Sequence, residues 1–236
     1  MKAIILAGGF GSRLKDVISD VPKPMAPIVE KPFLALLIEY LKTNGVNEVV
    51  LSVHHLKDSI QDFFGDNYLG VSVKYAIEEE PLGTGGGILN AIQQIYTDEP
   101  VFVFNGDTFL KIDLKRMHKQ HKDKKALLTI ALKEMKDCKR YGQVVVDGNI
   151  ITDFAHAGSG DGYINAGVYV LGKNLFEKFR TNRKFSFERD FLYQHVPEIK
   201  PQAFFTNDYF IDIGIPEDYK RACDELPSII AGEKHV

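Results

Sequence analysis

A chain of 236 residues with 44% hydrophobic and 26% charged content has the composition of an ordinary folded globule with a sizeable core. Its formal net charge of −3 gives no electrostatic reason to expect nucleic acid or an anionic membrane as a partner, and no apolar run approaches the length of a membrane span. Cys138 and Cys223 lack metal or redox spacing, and Met1-Lys2 leads straight into a strand-like run rather than a secretory signal, so a reducing, cytoplasmic setting is expected.

Lys2-Ala3-Ile4-Ile5-Leu6 reads as a buried parallel strand. The loop that follows, Leu6-Ala7-Gly8-Gly9-Phe10-Gly11-Ser12-Arg13-Leu14, has three glycines in four positions. Without Cβ atoms, successive N–H groups can point inward together and make a concavity for oxyanions. Arg13 adds a planar cation at its rim and Lys23 a mobile one. The stretch reads as a phosphate site. A dinucleotide-binding turn would need a third glycine at position 14, where Leu14 stands, and a helix opening from the loop. Pro22, Pro24 and Pro27 are instead expected to keep the next backbone extended.

Beyond the loop, helix-like and strand-like patterns alternate. Pro32 opens a helix whose apolar face runs from Phe33 to Leu41 and stops near Gly45. Val49–Val53 is a strand, Leu56, Ile60, Phe63 and Phe64 mark a helix, and Val71–Ile77 is a strand. A helix is expected from about Gly85 to Tyr96 and a strand over Val101–Phe104. This order implies a parallel sheet with right-handed crossovers, which binds ligands at the carboxyl ends of its strands. Glu78 to Gly87, containing Gly83-Thr84-Gly85, and Asn105-Gly106-Asp107 fall at two such ends. A carboxylate there, facing a phosphate loop, suits Mg²⁺, although Asn-Gly-Asp is also good turn chemistry.

Past Asp113 the pattern changes. Lys111–Lys125 reads as a helix with a basic, solvated face, and Ala126–Leu132 as a buried strand. Tyr141–Val146, Asn149–Phe154 and Tyr163–Leu171 read as strands joined by short turns in an antiparallel lobe. Ser186 caps a helix, Tyr209–Gly214 closes the sheet region, and a last helix runs from Pro216 to about Leu226. The expected fold class is α/β: a Rossmann-like, mostly parallel central sheet flanked by helices, with a smaller antiparallel lobe.

The strings L-A-G-G-x-G-x-R-L and P-K-P-M, at their separation here, resemble the signature of the sugar-1-phosphate nucleotidyltransferases, and the likeness extends from Lys2 to about Tyr219. The family joins a nucleoside triphosphate to a sugar 1-phosphate with release of pyrophosphate. The resemblance implies one domain over 1–226, with a nucleotide half of about 1–125, a sugar half of about 126–226, and a tail over 227–236. Leu6, Ala7, Gly8, Gly9, Gly11, Ser12 and Arg13 would hold the nucleotide, with Glu78, Gly83, Thr84 and Asn105 around it. Arg13 and Lys23 would be catalytic. Asp107 and Asp212 would bind Mg²⁺. Tyr141, Gly142, Asn165 and Glu188, with Lys23, would line the sugar-phosphate pocket.

The finer likeness, in Lys31-Pro32-Phe33-Leu34, Gly83–Gly87, Tyr163–Tyr169 and Phe185–Glu188, implies guanylyl transfer to a heptose 1-phosphate for cell-surface polysaccharide synthesis. Glu78 stands where several pyrimidine-using relatives carry Gln, and a carboxylate can accept guanine N1–H and N2–H together. Uridylyl transfer to N-acetylmuramic acid 1-phosphate and a non-catalytic nucleotide-sugar-binding subunit are the alternatives. A homodimer is compatible with the likeness. One departure stands out. His156 and Ala157 replace a Glu-Lys pair whose lysine, by the resemblance, would bond the sugar phosphate, so the second cation of that site is missing or supplied from elsewhere.

Overall fold

In the computed structural model the described residues are 1–9, 21–54, 56–155, 160–179 and 181–232. Gly11, Ser12, Arg13, His156 and Ala157 therefore lie outside them. The chain opens with β1 (Lys2–Leu6), resumes with a 3-10 turn over Lys23–Met25, and makes a small hairpin of β2 (Pro27–Ile28) and β3 (Lys31–Pro32). The 3-10 turn departs from the extended backbone expected around Pro24: proline at the second turn position suits its fixed φ, and Met25 and Ala26 N–H bond back to Pro22 and Lys23 carbonyls at 2.7 and 3.0 Å. Buried Pro24 and Met25 anchor the turn that carries Lys23.

Then come α1 (Phe33–Thr43), β4 (Glu48–Val53), α2 (Lys57–Phe64), β5 (Asn67–Tyr68), β6 (Val71–Ile77), α3 (Gly83–Ile92), β7 (Val101–Asn105), β8 (Thr108–Leu110) and α4 (Leu114–Asp123). The second half contributes β9 (Leu128–Met135), β10 (Gln143–Asp147), β11 (Ile150–Ala155), β12 (Gly162–Leu171) and α5 (Leu175–Lys178). A π-helical turn over Phe187–Leu192 runs straight into α6 (Tyr193–Ile199), followed by β13 (Gln202–Thr206), β14 (Phe210–Asp212) and α7 (Pro216–Ala231).

Ten of these strands form one sheet in the order β10-β11-β13-β9-β12-β7-β1-β4-β6-β5. β7, β1, β4 and β6 are mutually parallel, as the alternating first half requires. The later strands add mostly antiparallel neighbours to the same sheet, so the strands assigned to a smaller antiparallel lobe extend the central sheet. β12 is the seam, pairing antiparallel with both β7 and β9. Both faces are covered, and the strands alternate between the two covers: Ala3 and Ile5 face one apolar cluster and Ile4 the other. α1, α2, α4 and α7 supply the first cover, α3 and α6 the second.

Two expectations about helices change. The last helix continues past Leu226 to Ala231, because Leu226 is buried and Ile229 and Ile230 pack on the first cluster. The basic face of α4 is not wholly solvated, since His121 is buried with its Nδ1 2.9 Å from Thr129 Oγ1. No described helix is long and apolar enough to cross a membrane.

Burial, and then the nearby His118, push the His121 pKa down from 6.5 to about 4. His121 therefore stays neutral in the fold, while in the unfolded chain it protonates below about 6.5. Its stabilising contribution is present above that range and is lost as pH falls towards 4. Urea midpoints measured from pH 7.5 to 4.5 should decline more steeply for the wild type than for His121→Gln, by at most about 1.4 kcal/mol per pH unit for one proton.

Candidate active site

A cleft of about 620 Å³ opens at the carboxyl ends of β1, β4, β6 and β7. Leu6, Gly8 and Gly9 line it at the end of β1, Ser52 and Glu78 follow from β4 and β6, and Asn105 and Asp107 from β7. Ala7 does not line it; it is fully buried, with its N–H bonded to Ser52 O at 2.8 Å. Tyr141, Gly142, Asn165, Glu188 and Asp212, from the second half of the chain, also line it. The fold thus brings the described residues singled out from both halves of the sequence, Ala7 apart, to one cavity.

A charge cluster sits at its centre. Lys23 Nζ is 2.6 Å from Asp107 Oδ2 and 3.7 Å from Asp212 Oδ1. The two carboxylates meet because β8, just after Asp107, pairs antiparallel with β14, placing Asp212 opposite Thr108. Ile213 N–H also bonds to Asp107 O at 3.0 Å. Burial and then the charge of Asp107 raise the Asp212 pKa, opposed by Lys23, Arg140 and the Gly214 N–H. Two carboxylates converging on one cation fit Mg²⁺, which uses one or two carboxylates and completes its shell with substrate phosphates and water.

Where β12 meets the π-helical turn, Asn165 Nδ2 donates to Tyr169 Oη at 2.8 Å and to Glu188 Oε1 at 3.1 Å, and Tyr169 O–H donates to the same Glu188 oxygen at 3.0 Å. Four residues apart on a regular strand, Asn165 and Tyr169 would stand about 13 Å apart. A register shift in β12 between them closes that gap. At its middle Gly167 takes φ +71°, and a Cβ there would lie 2.6 Å from Asn105 Nδ2. The bulge thus re-aims two side chains into the cleft. Burial above all, with the nearby Asp107, pushes the Glu188 pKa up against the Tyr169 bond.

The glycine-rich opening of α3 is occupied differently from what its composition suggests. The helix starts at Gly83 rather than Gly85, and its free N–H groups meet protein: Gly85 N–H bonds Phe185 O at 3.0 Å. Phe187 N–H donates to Thr84 Oγ1 at 2.8 Å. Gly83 has φ +74°, and a Cβ there would be 2.6 Å from Phe185 O. Both oxygens of Glu78 are also engaged, Oε1 by the Ser52 hydroxyl at 2.6 Å and Oε2 by Leu82 N–H at 2.9 Å. A carboxylate oxygen has two acceptor positions, so each keeps one for a ligand.

Several cleft residues escaped the sequence reading, Ser52, Tyr169 and Arg140 among them. Ser52 and Tyr169 read only as parts of strands, and Arg140 belonged to no motif. Arg140 Nη2 lies 3.0 Å from Asp212 Oδ2, its Nη1 pairs with Asp218, and its guanidinium stacks over the Tyr141 ring.

Two outcomes are expected. Gly83→Ala should lose about 1–2 kcal/mol from the left-handed backbone alone, with more from the contact with Phe185 O, read as a lower urea midpoint. The raised Glu188 pKa makes wild-type stability fall as pH rises from the ordinary carboxylate range through the folded value. Glu188→Gln keeps an acceptor for Tyr169 and Asn165, and its midpoints between pH 4 and 8 should not show that decline.

Residues 2–228 match the family described as Nucleotidyl transferase. The chain is 46% identical over 231 residues to D-glycero-alpha-D-manno-heptose 1-phosphate guanylyltransferase of Aneurinibacillus thermoaerophilus, covering 98% of this chain and 100% of the relative. A Campylobacter jejuni protein of the same name is 46% identical, covering 93% and 97% of the two chains. The crystal structure of HddC from Yersinia pseudotuberculosis complexed with GMP-PN superposes with a TM-score of 0.83 at 42% identity, covering 95% of this chain and 98% of that one. With a family match over nearly the whole chain and full-length relatives at this identity, the chain belongs to the nucleotidyl transferase family.

Proposed function

We propose that this enzyme transfers a guanylyl group from GTP to D-glycero-α-D-manno-heptose 1-phosphate, giving GDP-heptose and pyrophosphate. The two full-length relatives carry that activity in their names, and the related HddC structure is described as complexed with GMP-PN. The observation in this chain that carries the reading is the Asp107–Lys23–Asp212 cluster in the cleft.

An oxygen of the sugar phosphate attacks the α-phosphorus in line as pyrophosphate departs. That nucleophile is already anionic at neutral pH, so the reaction needs positioning and charge neutralisation more than a strong base. Lys23 neutralises the crowded α-phosphate, and Arg13 is assigned to the leaving pyrophosphate. Gly8 and Gly9 let the nucleotide phosphates approach the backbone. Asp107 and Asp212 would hold Mg²⁺, which would supply Lewis-acid charge neutralisation for the substrate phosphates. Glu78, held by Ser52 and Leu82, presents its remaining acceptor positions to guanine N1–H and N2–H. Glu188, Asn165 and Tyr169 form the polar wall for the sugar hydroxyls.

The test is pyrophosphate release with GTP, UTP, CTP, ATP and dTTP against a panel of sugar 1-phosphates. GTP with the heptose 1-phosphate should give the highest kcat/KM; a UTP preference or a different sugar would overturn the specificity. Lys23→Ala should lower kcat by roughly 10²–10³, the scale for losing one preorganised charge-stabilising group. Asp107→Asn should keep its urea midpoint and lose turnover at limiting Mg²⁺.

A further inference from the structure

We propose that Arg140 supplies a cation that grips the phosphate of the sugar 1-phosphate, a role that rests on the guanylyltransferase reading. Among the described residues lining the cleft, Lys23 and Arg140 are the two cations, against four carboxylates, Glu78, Asp107, Glu188 and Asp212. Two polyanionic substrates cannot enter such a cavity unless its cations face them. Lys23 is already 2.6 Å from Asp107 on the nucleotide side. Arg140 stands on the loop leading into β10, beside Tyr141 and Gly142 of the cleft lining, and shares Asp212 with Lys23, each cation facing a different carboxylate oxygen.

Its setting is that of a held but incompletely used donor. Asp218, in the first turn of α7, takes Nη1, and Asp212 takes Nη2 at 3.0 Å. Nη2 also reaches Asp212 O at 3.5 Å; a guanidinium carries five N–H donors in a planar fork, so these three bonds leave others for an incoming oxyanion. The guanidinium carbon lies over the Tyr141 ring, 5.0 Å from its centroid, a cation–π contact that helps hold the side chain. Gly214 leaves the space beside it: a Cβ there would come within 3.2 Å of Nη2. The side chain remains 28% exposed, so the fork is reachable from the cleft.

The experiment compares wild type, Arg140→Ala and Arg140→Lys. Substrate KM values are measured with the best substrate pair of the nucleotide and sugar panel. Binding of the sugar 1-phosphate is measured by calorimetry with the free sugar as control. Loss of charged hydrogen bonds to phosphate should raise the sugar 1-phosphate KM about 10- to 100-fold, leave the KM for the nucleotide within about twofold, and weaken the phosphate ester in calorimetry by the same factor. Arg140→Lys, which keeps the charge and loses the fork, should recover only part of it and guards against a misfolded alanine variant. Equal changes in both KM values, or a fall in kcat with both KM values unchanged, would make Arg140 a support for Asp212 and overturn the proposal. If the wild type turned over no guanylyl pair, the guanylyltransferase reading would fail, and the calorimetric comparison would still decide the role of Arg140.

Discussion

The cleft depends on one close approach between distant parts of the chain, the seating of Phe185 on the amino end of α3. Phe185 O accepts from Gly85 N–H, Phe185 N–H donates to Leu82 O at 3.0 Å, and Phe187 N–H reaches Thr84 Oγ1. These bonds satisfy helix N–H groups that would otherwise need water or a ligand. They also set the position of Glu188, the next residue, against Asn165 and Tyr169. The parts of the cavity that carry Glu78 and Glu188 are thus coupled through a backbone contact that tolerates no side chain at Gly83.

That contact redirects where an anion can bind. A free helix N-terminus after a strand is a ready phosphate site, but here a protein carbonyl already occupies it. The positive charge among the described cleft residues comes instead from Lys23 and Arg140. Both cations are tied to Asp212, Lys23 at 3.7 Å and Arg140 at 3.0 Å. A positive charge added beside Asp107 and Asp212 would weaken those ties by competing for the same carboxylates.

Much of this could be read without coordinates because it is local. The apolar run before the glycine loop, the alternating first-half elements and the polar residues after β6 and β7 follow from periodicity and turn chemistry. The helix over Phe33–Thr43 and the strand over Val71–Ile77 were legible within two residues. Misreadings fell where tertiary contacts overrode local pattern. α7 outlasts its expected end because Ile229 and Ile230 find the core, and His121 is drawn inward by Thr129.

What the sequence by itself determined was chemical inventory and family: a phosphate-type loop, a lysine, two aspartates and an α/β frame, each recognisable from neighbours in the chain. What only the tertiary structure decided was adjacency. The pairing of β8 with β14 brings Asp212 to Asp107, the bulge at Gly167 turns Asn165 and Tyr169 onto one carboxylate, and β10's loop carries Arg140 to the cleft. The physical reason is that a local pattern sets which way a side chain points along its own strand. Which strands pair, and where their register slips, is set by sheet-wide burial and hydrogen bonding among segments far apart in the chain.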